Sequence, residues 1–416
     1  MSGSRISVLH AVTDSLSTVL MRGQLNYLRT NGFDPALLSS PGERLEQISA
    51  EEGYPVFGVA MRRGISPGRD LRSLFEIWRL LRRIKPVICN SGTPKAGLLV
   101  GLAAWLTRVP CRVYTLRGLR LETATGVKRM ILTITEKMAC FSAHRVVCVS
   151  ASLRERAIAL GLVARAKTVL LGAGSSNGVD PSRFEPTPER VALASALRQD
   201  MGIRPHQPVI GFAGRLTRDK GIPELVAAFQ SLRNELPEAI LLLVGDYEAG
   251  DPVPDNIKDV IESEPGIHRV GFTRQIELYY LTMDVFVLPT HREGFPNTVL
   301  EAQAAERPVV TTRATGAVDS IDDSITGLVV PVGDSIALAE ALKRLLTDRS
   351  LAVQFGQTGR CRVLREFAQE RVWSALADEY MDLVKIARQS DSAQLAGSVC
   401  SGEAAGGVEN TPQGHK

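Results

Sequence analysis

The feature that most constrains the fold of this chain is a succession of short apolar runs in two series. The first comprises "ISVLHAV", "PALLSS", "YPVFGVA", "PVICNS", "CRVYTL", "HRVVCVS" and "KTVLL". The second comprises "PVIGFAG", "AILLLVG", "HRVGF", "DVFVLP", "RPVVTT" and "GLVVP". These runs are rich in β-branched residues and apolar throughout, not alternating, as strands are when both faces of a parallel sheet are covered. Amphipathic stretches of helix length separate them, and repeated strand–helix units specify doubly wound α/β sheets. A chain of 416 residues is too long for one ordinary core and suits two such domains. The segment "GSSNGVDPSRFEPTPER", rich in Gly, Asn, Ser and Pro, lies between the series and reads as the linker. The expected organisation is one Rossmann-like domain over residues 1–180, a second over 181–389, and a small, polar, disordered tail over 390–416. Two such domains leave a cleft between the carboxyl ends of their sheets, where ligands bind in open α/β folds.

Composition removes several classes of function. A formal net charge of +4 is small for this length and does not indicate a nucleic-acid partner. The six cysteines show no CxxC or Cys/His ligand spacing, and four of them sit in or beside apolar runs. That pattern predicts a reducing compartment and no structural metal; no resident cofactor is expected. The N-terminal "MSGSRISVLHAV" reads as a first strand instead of a secretory leader. No run reaches the ~18 apolar residues of a membrane span. A cytoplasmic protein is expected, with peripheral membrane contact left open. The stretch from Arg62 to Lys85 carries eight cations and two acids, with Phe75 and Trp78 at helical spacing. It reads either as an ordinary helix whose apolar stripe joins the core or as a basic amphipathic helix on an anionic leaflet. The second reading predicts binding to anionic vesicles and release by salt.

Two loops carry the candidate chemistry. "VIGFAGRLTRDKGIPELVAAF" is a strand, a glycine turn and a helix starting near Ile222 or Pro223, where a missing N–H costs little. Arg215 and Lys220 fall in its loop, where an anion would also meet the positive end of the helix dipole. The same residues also suit two solvated cations in a turn. The Walker pattern is missing. "HREGFPNTVLEAQA" repeats the architecture, with a helix expected from Pro296 or Asn297 to Arg307. Free amides at Asn297, Thr298 and Val299 would accept phosphate oxygens. Glu293 precedes that helix, and Glu301 lies a little over one turn inside it, with seven residues between them. Carboxylates facing a polyol make charge-assisted hydrogen bonds. Spacing alone equally allows a dipole-favoured acid and a surface glutamate.

"GRLTRDKG" together with "EGFPNTVLE" resembles the retaining glycosyltransferases of family 4, whose sequence signature is two acids seven residues apart. "TPKAGLL", "YTLRGLRLET" and "GSSNGVDPSRF" resemble the bacterial capsular, exopolysaccharide and lipid-linked glycan assembly group within that family. The resemblance implies the GT-B fold, two Rossmann-like α/β domains facing across a cleft. It implies transfer of a sugar from a nucleotide-sugar donor, by resemblance uridine-based, to a lipid-diphosphate-linked glycan or polysaccharide. It places Arg215 and Lys220, after the Gly214 turn, on the donor diphosphate. Glu293 would hold the donor sugar beside the backbone of Gly294, Phe295, Pro296 and Asn297. Thr298, Val299 and their amides would take phosphate oxygens, and Glu301 the ribose. Asp246 and Thr273 would lie near the base. The cations and helix amides would stabilise the departing diphosphate without a metal ion. A front-side attack needs no enzymic nucleophile, and none is assigned to Glu293. A nucleotide-sugar epimerase and a non-catalytic nucleotide-sugar-binding subunit are the alternatives, and the presence of both acids and both cations disfavours the latter.

The first half departs from the family pattern. Arg117-Gly118 stands where many members have His-Gly, so a fixed cation replaces an imidazole. Cys89 and Asn90 stand where relatives often show histidines. Thr93 and Lys95, at a helix start, join Arg117 and Gly118 as acceptor-side candidates. His10, at a strand end, is expected to be packed. "LGAGSSNG" fails as a dinucleotide motif, because "VDPSRF" cannot open a helix promptly, and reads as a hinge loop.

Overall fold

The computed structural model describes residues 5–62, 64 and 66–403, and of 390–391 and 393–403 the backbone alone. The first series of runs forms strands β1 (Ile6–Ala11), β2 (Phe33–Ser39), β3 (Val56–Gly58), β4 (Ile88–Ser91), β5 (Cys111–Leu116), β6 (Arg145–Cys148) and β7 (Thr168–Leu170). The second forms β8 (Val209–Ala213), β9 (Ile240–Val244), β10 (Ile267–Arg269), β11 (Val285–Leu288), β12 (Val309–Thr312) and β13 (Gly327–Val330). They build two sheets, ordered β3-β2-β1-β4-β5-β6-β7 and β10-β9-β8-β11-β12-β13. The pairings within both sheets are parallel. The two-lobed α/β architecture expected from the runs is present.

The pleat explains the apolar runs. Neighbouring residues point to opposite faces, so Leu9, Leu38 and Cys89 enter one core with Ile77, Leu81, Leu99 and Ala103 from the helices on that side. Val8, Phe33, Ile88 and Val113 enter another core on the opposite face. The order of strands reverses between β1 and β4 in the first sheet and between β8 and β11 in the second. Such switch points open a crevice at the carboxyl ends of the strands. The loops after β4, β8 and β11 hold Thr93, Arg215 and Glu293 respectively.

The domain boundaries need one correction. The helix Gln369–Glu403 does not stay with the second sheet. Its Leu376, Ala377, Tyr380, Leu383 and Val384 complete the first lobe's core beside Leu28 and Phe33. The outgoing and returning chain segments run side by side, with Val179 N–H donating to Phe367 O at 2.9 Å and Gln369 N–H to Val179 O at 3.1 Å. The expected tail from Ser390 keeps a helical backbone up to Glu403, and residues 404–416 lie outside the described residues. The stretch 390–396 contains neither Gly nor Pro, so nothing local interrupts the turns already begun.

The basic stretch forms the helix Pro67–Ile84; Arg63 and Ile65 lie outside the described residues. Ile77, Leu80 and Leu81 join the core, while Leu71 and Phe75 stay exposed. Among the described residues no helix is long and apolar enough to cross a membrane.

Candidate active site

The loop after β8 begins at Gly214, with φ 148°, and ends at Gly221, which caps the helix Ile222–Arg233 in the left-handed region at φ 73°. A side-chain carbon at Gly221 would collide with the carbonyl of Pro289, so this loop packs directly on the one after β11. The packing brings Lys220 to Glu293, and their side chains form an ion pair with exposures of only 17% and 16%. Arg215 pairs with Glu248 and is far more open, at 62%. Asp219 pairs with Arg292, whose Nε donates to Thr123 Oγ1 of the first lobe at 3.0 Å. His291 and Glu224 lie 2.8 Å apart, and the carboxylate's hydrogen bond raises the imidazole's pKa.

The helix Asn297–Ala304 starts where expected, with Pro296 as its cap, but stops short of Arg307. Glu306 adopts φ 59°, outside the helical region, and Pro308 disfavours a helical residue before it. Of the three amides expected to be free, Val299 N–H donates to Pro296 O at 3.2 Å. Those of Asn297 and Thr298 are at the open end of the helix. Asn297 Oδ1 lies 3.3 Å from Ser175 Oγ in the hinge loop, whose Ser175 N–H donates to Val149 O. Phe295 is a packing residue, with its ring 5.1 Å from that of Phe367.

Glu301 is half-buried in the second lobe, where Tyr280 Oη donates to its Oε2 at 2.8 Å. Burial pushes its pKa up to about 7 against that bond's opposing effect. Asp246 accepts, through its backbone carbonyl, from Leu216 N–H at 2.9 Å, on the rim beside the Arg215 loop. Thr273 Oγ1 accepts from Gln275 N–H at 3.1 Å and so caps the turn before the helix Ile276–Thr282.

The first lobe approaches very closely. A side chain at Gly294 would overlap the carbonyl of Arg117, and one at Gly316 would overlap that of Gly294. Ser152 N–H donates to Asp319 Oδ1 at 3.1 Å, Gly316 N–H to Ser152 Oγ at 2.7 Å, and Thr315 Oγ1 to Glu122 Oε1 at 2.9 Å. These contacts clasp the two lobes around the predicted residues. Sequence reasoning named neither Tyr280 nor the clasp.

Arg117 donates from Nη1 to Gly92 O at 2.5 Å. Its Nε is buried without a hydrogen-bond partner, and burial lowers its pKa to about 10. No carboxylate pairs with it among the described residues. Thr93 Oγ1 accepts from Thr13 N–H at 2.9 Å. Lys95 is held by Asp70 at 2.6 Å and is thereby tied to the helix Pro67–Ile84. His10 is packed as expected, its pKa lowered to about 3 by burial and then by Arg117.

The arrangement places the Lys220–Glu293 pair and the start of the helix Asn297–Ala304 at the switch point of the second sheet, with the backbone of Arg117 from the first lobe packed against Gly294. The model "Glycosyl transferase 4-like domain" matches residues 18–174, and "Glycosyl transferases group 1" matches residues 207–348. The capsular polysaccharide biosynthesis glycosyltransferase CapM of Staphylococcus aureus is 37% identical, covering 91% of this chain and 97% of the relative. The chain belongs to the group 1 glycosyltransferases. Another relative, the Escherichia coli UDP-Gal:alpha-D-GlcNAc-diphosphoundecaprenol alpha-1,3-galactosyltransferase, is 24% identical over 92% of this chain and 98% of its own. A crystal structure of Anabaena HepE in complex with UDP and glucose has the same fold, with a TM-score of 0.75 and 17% identity. That match covers 91% of this chain and 100% of HepE. The GT-B architecture of the glycosyltransferase is thereby established.

Proposed function

We propose that this glycosyltransferase moves a sugar, with retention of configuration and without a metal ion, from a uridine-diphosphate donor to a lipid-diphosphate-linked or polysaccharide acceptor in capsule or related glycan assembly. The observation that carries the reading is the pairing of Lys220 with Glu293 beside the open start of the helix Asn297–Ala304. A donor seated there separates the pair: the ammonium turns to the diphosphate and the carboxylate to the sugar hydroxyls. Arg215, Lys220 and the amides of Asn297 and Thr298 then supply the positive charge that the leaving diphosphate needs. Glu301 holds the ribose, and Asp246 and Thr273 border the base. The acceptor oxygen bonds to the anomeric carbon on the face from which the phosphate oxygen departs, and its proton passes to that phosphate. Arg117, Gly118 and Thr93 border the acceptor side, and Lys95, beside Thr93, is held by Asp70. The names of CapM and the E. coli enzyme, and the UDP bound by HepE, support the class of donor and acceptor.

A peripheral position on the cytoplasmic leaflet suits such an acceptor, and the exposed Arg72, Arg79, Arg82 and Arg83 face outward for anionic lipid. A thermal-shift panel of nucleotide sugars tests the donor. A ligand at 100 times its Kd adds about 2.7 kcal/mol to stability, so a uridine-diphosphate sugar should raise the Tm clearly. Silence across the whole panel, or unchanged transfer in Glu293→Gln, would refute the assignment.

A further inference from the structure

We infer that the helix Gly126–Ser142 is the element of the first lobe that enters a lipid bilayer. Along it Val127, Met130, Ile134, Met138 and Phe141 recur at three- and four-residue spacing and are exposed, from 40% at Met138 to 67% at Val127. This spacing makes one continuous stripe. The opposite side of the same helix holds Glu136, Ala139, Cys140 and Ser142 in the core. The stripe is therefore what remains after the helix has packed. It continues onto the end of the neighbouring helix Pro94–Leu106, where the half-exposed Trp105 ring lies 6.1 Å from that of Phe141. On the next helix in the layer, Pro67–Ile84, Leu71 and Phe75 are exposed as well. The stripe and Trp105, continuous with each other, are exposed apolar surface of the kind that marks an interaction site.

Charge identifies the occupant. The exposed cations of the three helices include Arg79, Arg82, Arg83, Lys128, Arg129 and Lys137, and none of these six pairs with an acid among the described residues. Each acid on these helices is engaged: Asp70 by Lys95, Glu76 by Arg72, and Glu136, buried, by Tyr114. An isologous contact with a second copy would set these cations against themselves. An anionic leaflet satisfies both the stripe and the charge. The inference deepens the peripheral contact proposed above and rests on that reading for its purpose.

The test uses the full chain, sucrose-loaded vesicles of phosphatidylcholine with or without phosphatidylglycerol, and the variant Met130→Ser/Ile134→Ser/Phe141→Ser, whose changes are all on the surface. The wild type should sediment with the anionic vesicles, and the variant should partition about tenfold less or lower. Brominated lipid should quench the fluorescence of the wild type and not that of Trp105→Phe to the same degree. Both variants should keep the donor-induced thermal shift. Undiminished sedimentation of the triple variant would overturn the inference. So would a wild-type dimer that ignores vesicles and becomes monomeric in the variant. Vesicle binding without any donor-induced shift would instead remove the proposed donor assignment and leave the bilayer contact standing.

Discussion

The side chains of Lys220 and Glu293 form a shielded ion pair across two loops of one sheet, so each holds the other in place. Removing one partner strands a charge, which is costly for a shielded pair. Lys220→Met should lower kcat/KM by roughly 10²–10³-fold, the usual loss for a group that stabilises developing negative charge. It should also lower the Tm. The double variant Lys220→Met/Glu293→Gln should recover stability in urea unfolding and remain inactive, which separates the chemical role from the structural one.

Gly294→Ala places a carbon against the carbonyl of Arg117. The two lobes would have to part at this contact. Displacement of a reacting group by about 1 Å costs on the order of 10²-fold in rate, and that loss is expected in steady-state transfer. Each lobe keeps its own core, so far-ultraviolet circular dichroism should remain that of the wild type.

Glu136 is buried under the apolar stripe, facing Tyr114 and Cys140, and burial raises its pKa to about 7. The folded form therefore binds a proton that the unfolded chain has lost, across the window from the ordinary carboxyl range to about 7. Stability contributed by this group is present at the acid end of that window and falls as pH rises through it. Glu136→Gln keeps an acceptor for Tyr114 Oη and loses the slope. The variant should match the wild type near the acid end and exceed it by roughly 1–3 kcal/mol above neutrality, read from urea midpoints.

Tyr380 joins the returning helix to the first sheet, with Asn90 Nδ2 donating to its Oη at 2.6 Å. Tyr380→Phe leaves that buried amide unsatisfied and should cost about 1–3 kcal/mol. The catalytic parameters at a temperature well below the Tm should change little.

The sheets were legible because the central strands are covered on both faces, which leaves apolar runs in the sequence. Arg215, Lys220, Glu293 and Glu301 were legible because one strand–loop–helix segment carries each set. Relationships between distant segments were not. Tyr280 reads as an ordinary aromatic of an apolar helix, and only folding brings it to Glu301, 21 positions away. Ser152 and Asp319 are 167 positions apart, and neither residue type announces a clasp. Lys95 looked available at a helix start, but its partner Asp70 sits on a neighbouring helix. The helix Gln369–Glu403 carries an apolar stripe that suits either lobe, and the crossing at Val179 and Ala368 decides which.

That crossing makes the second sheet's lobe an insertion within the first. During synthesis the inserted lobe emerges whole while its host still lacks Tyr380 and Leu383, so the order of completion is inverted relative to the order of translation. A nascent chain whose final helix has not yet emerged would display a finished second lobe attached to an unfinished partner.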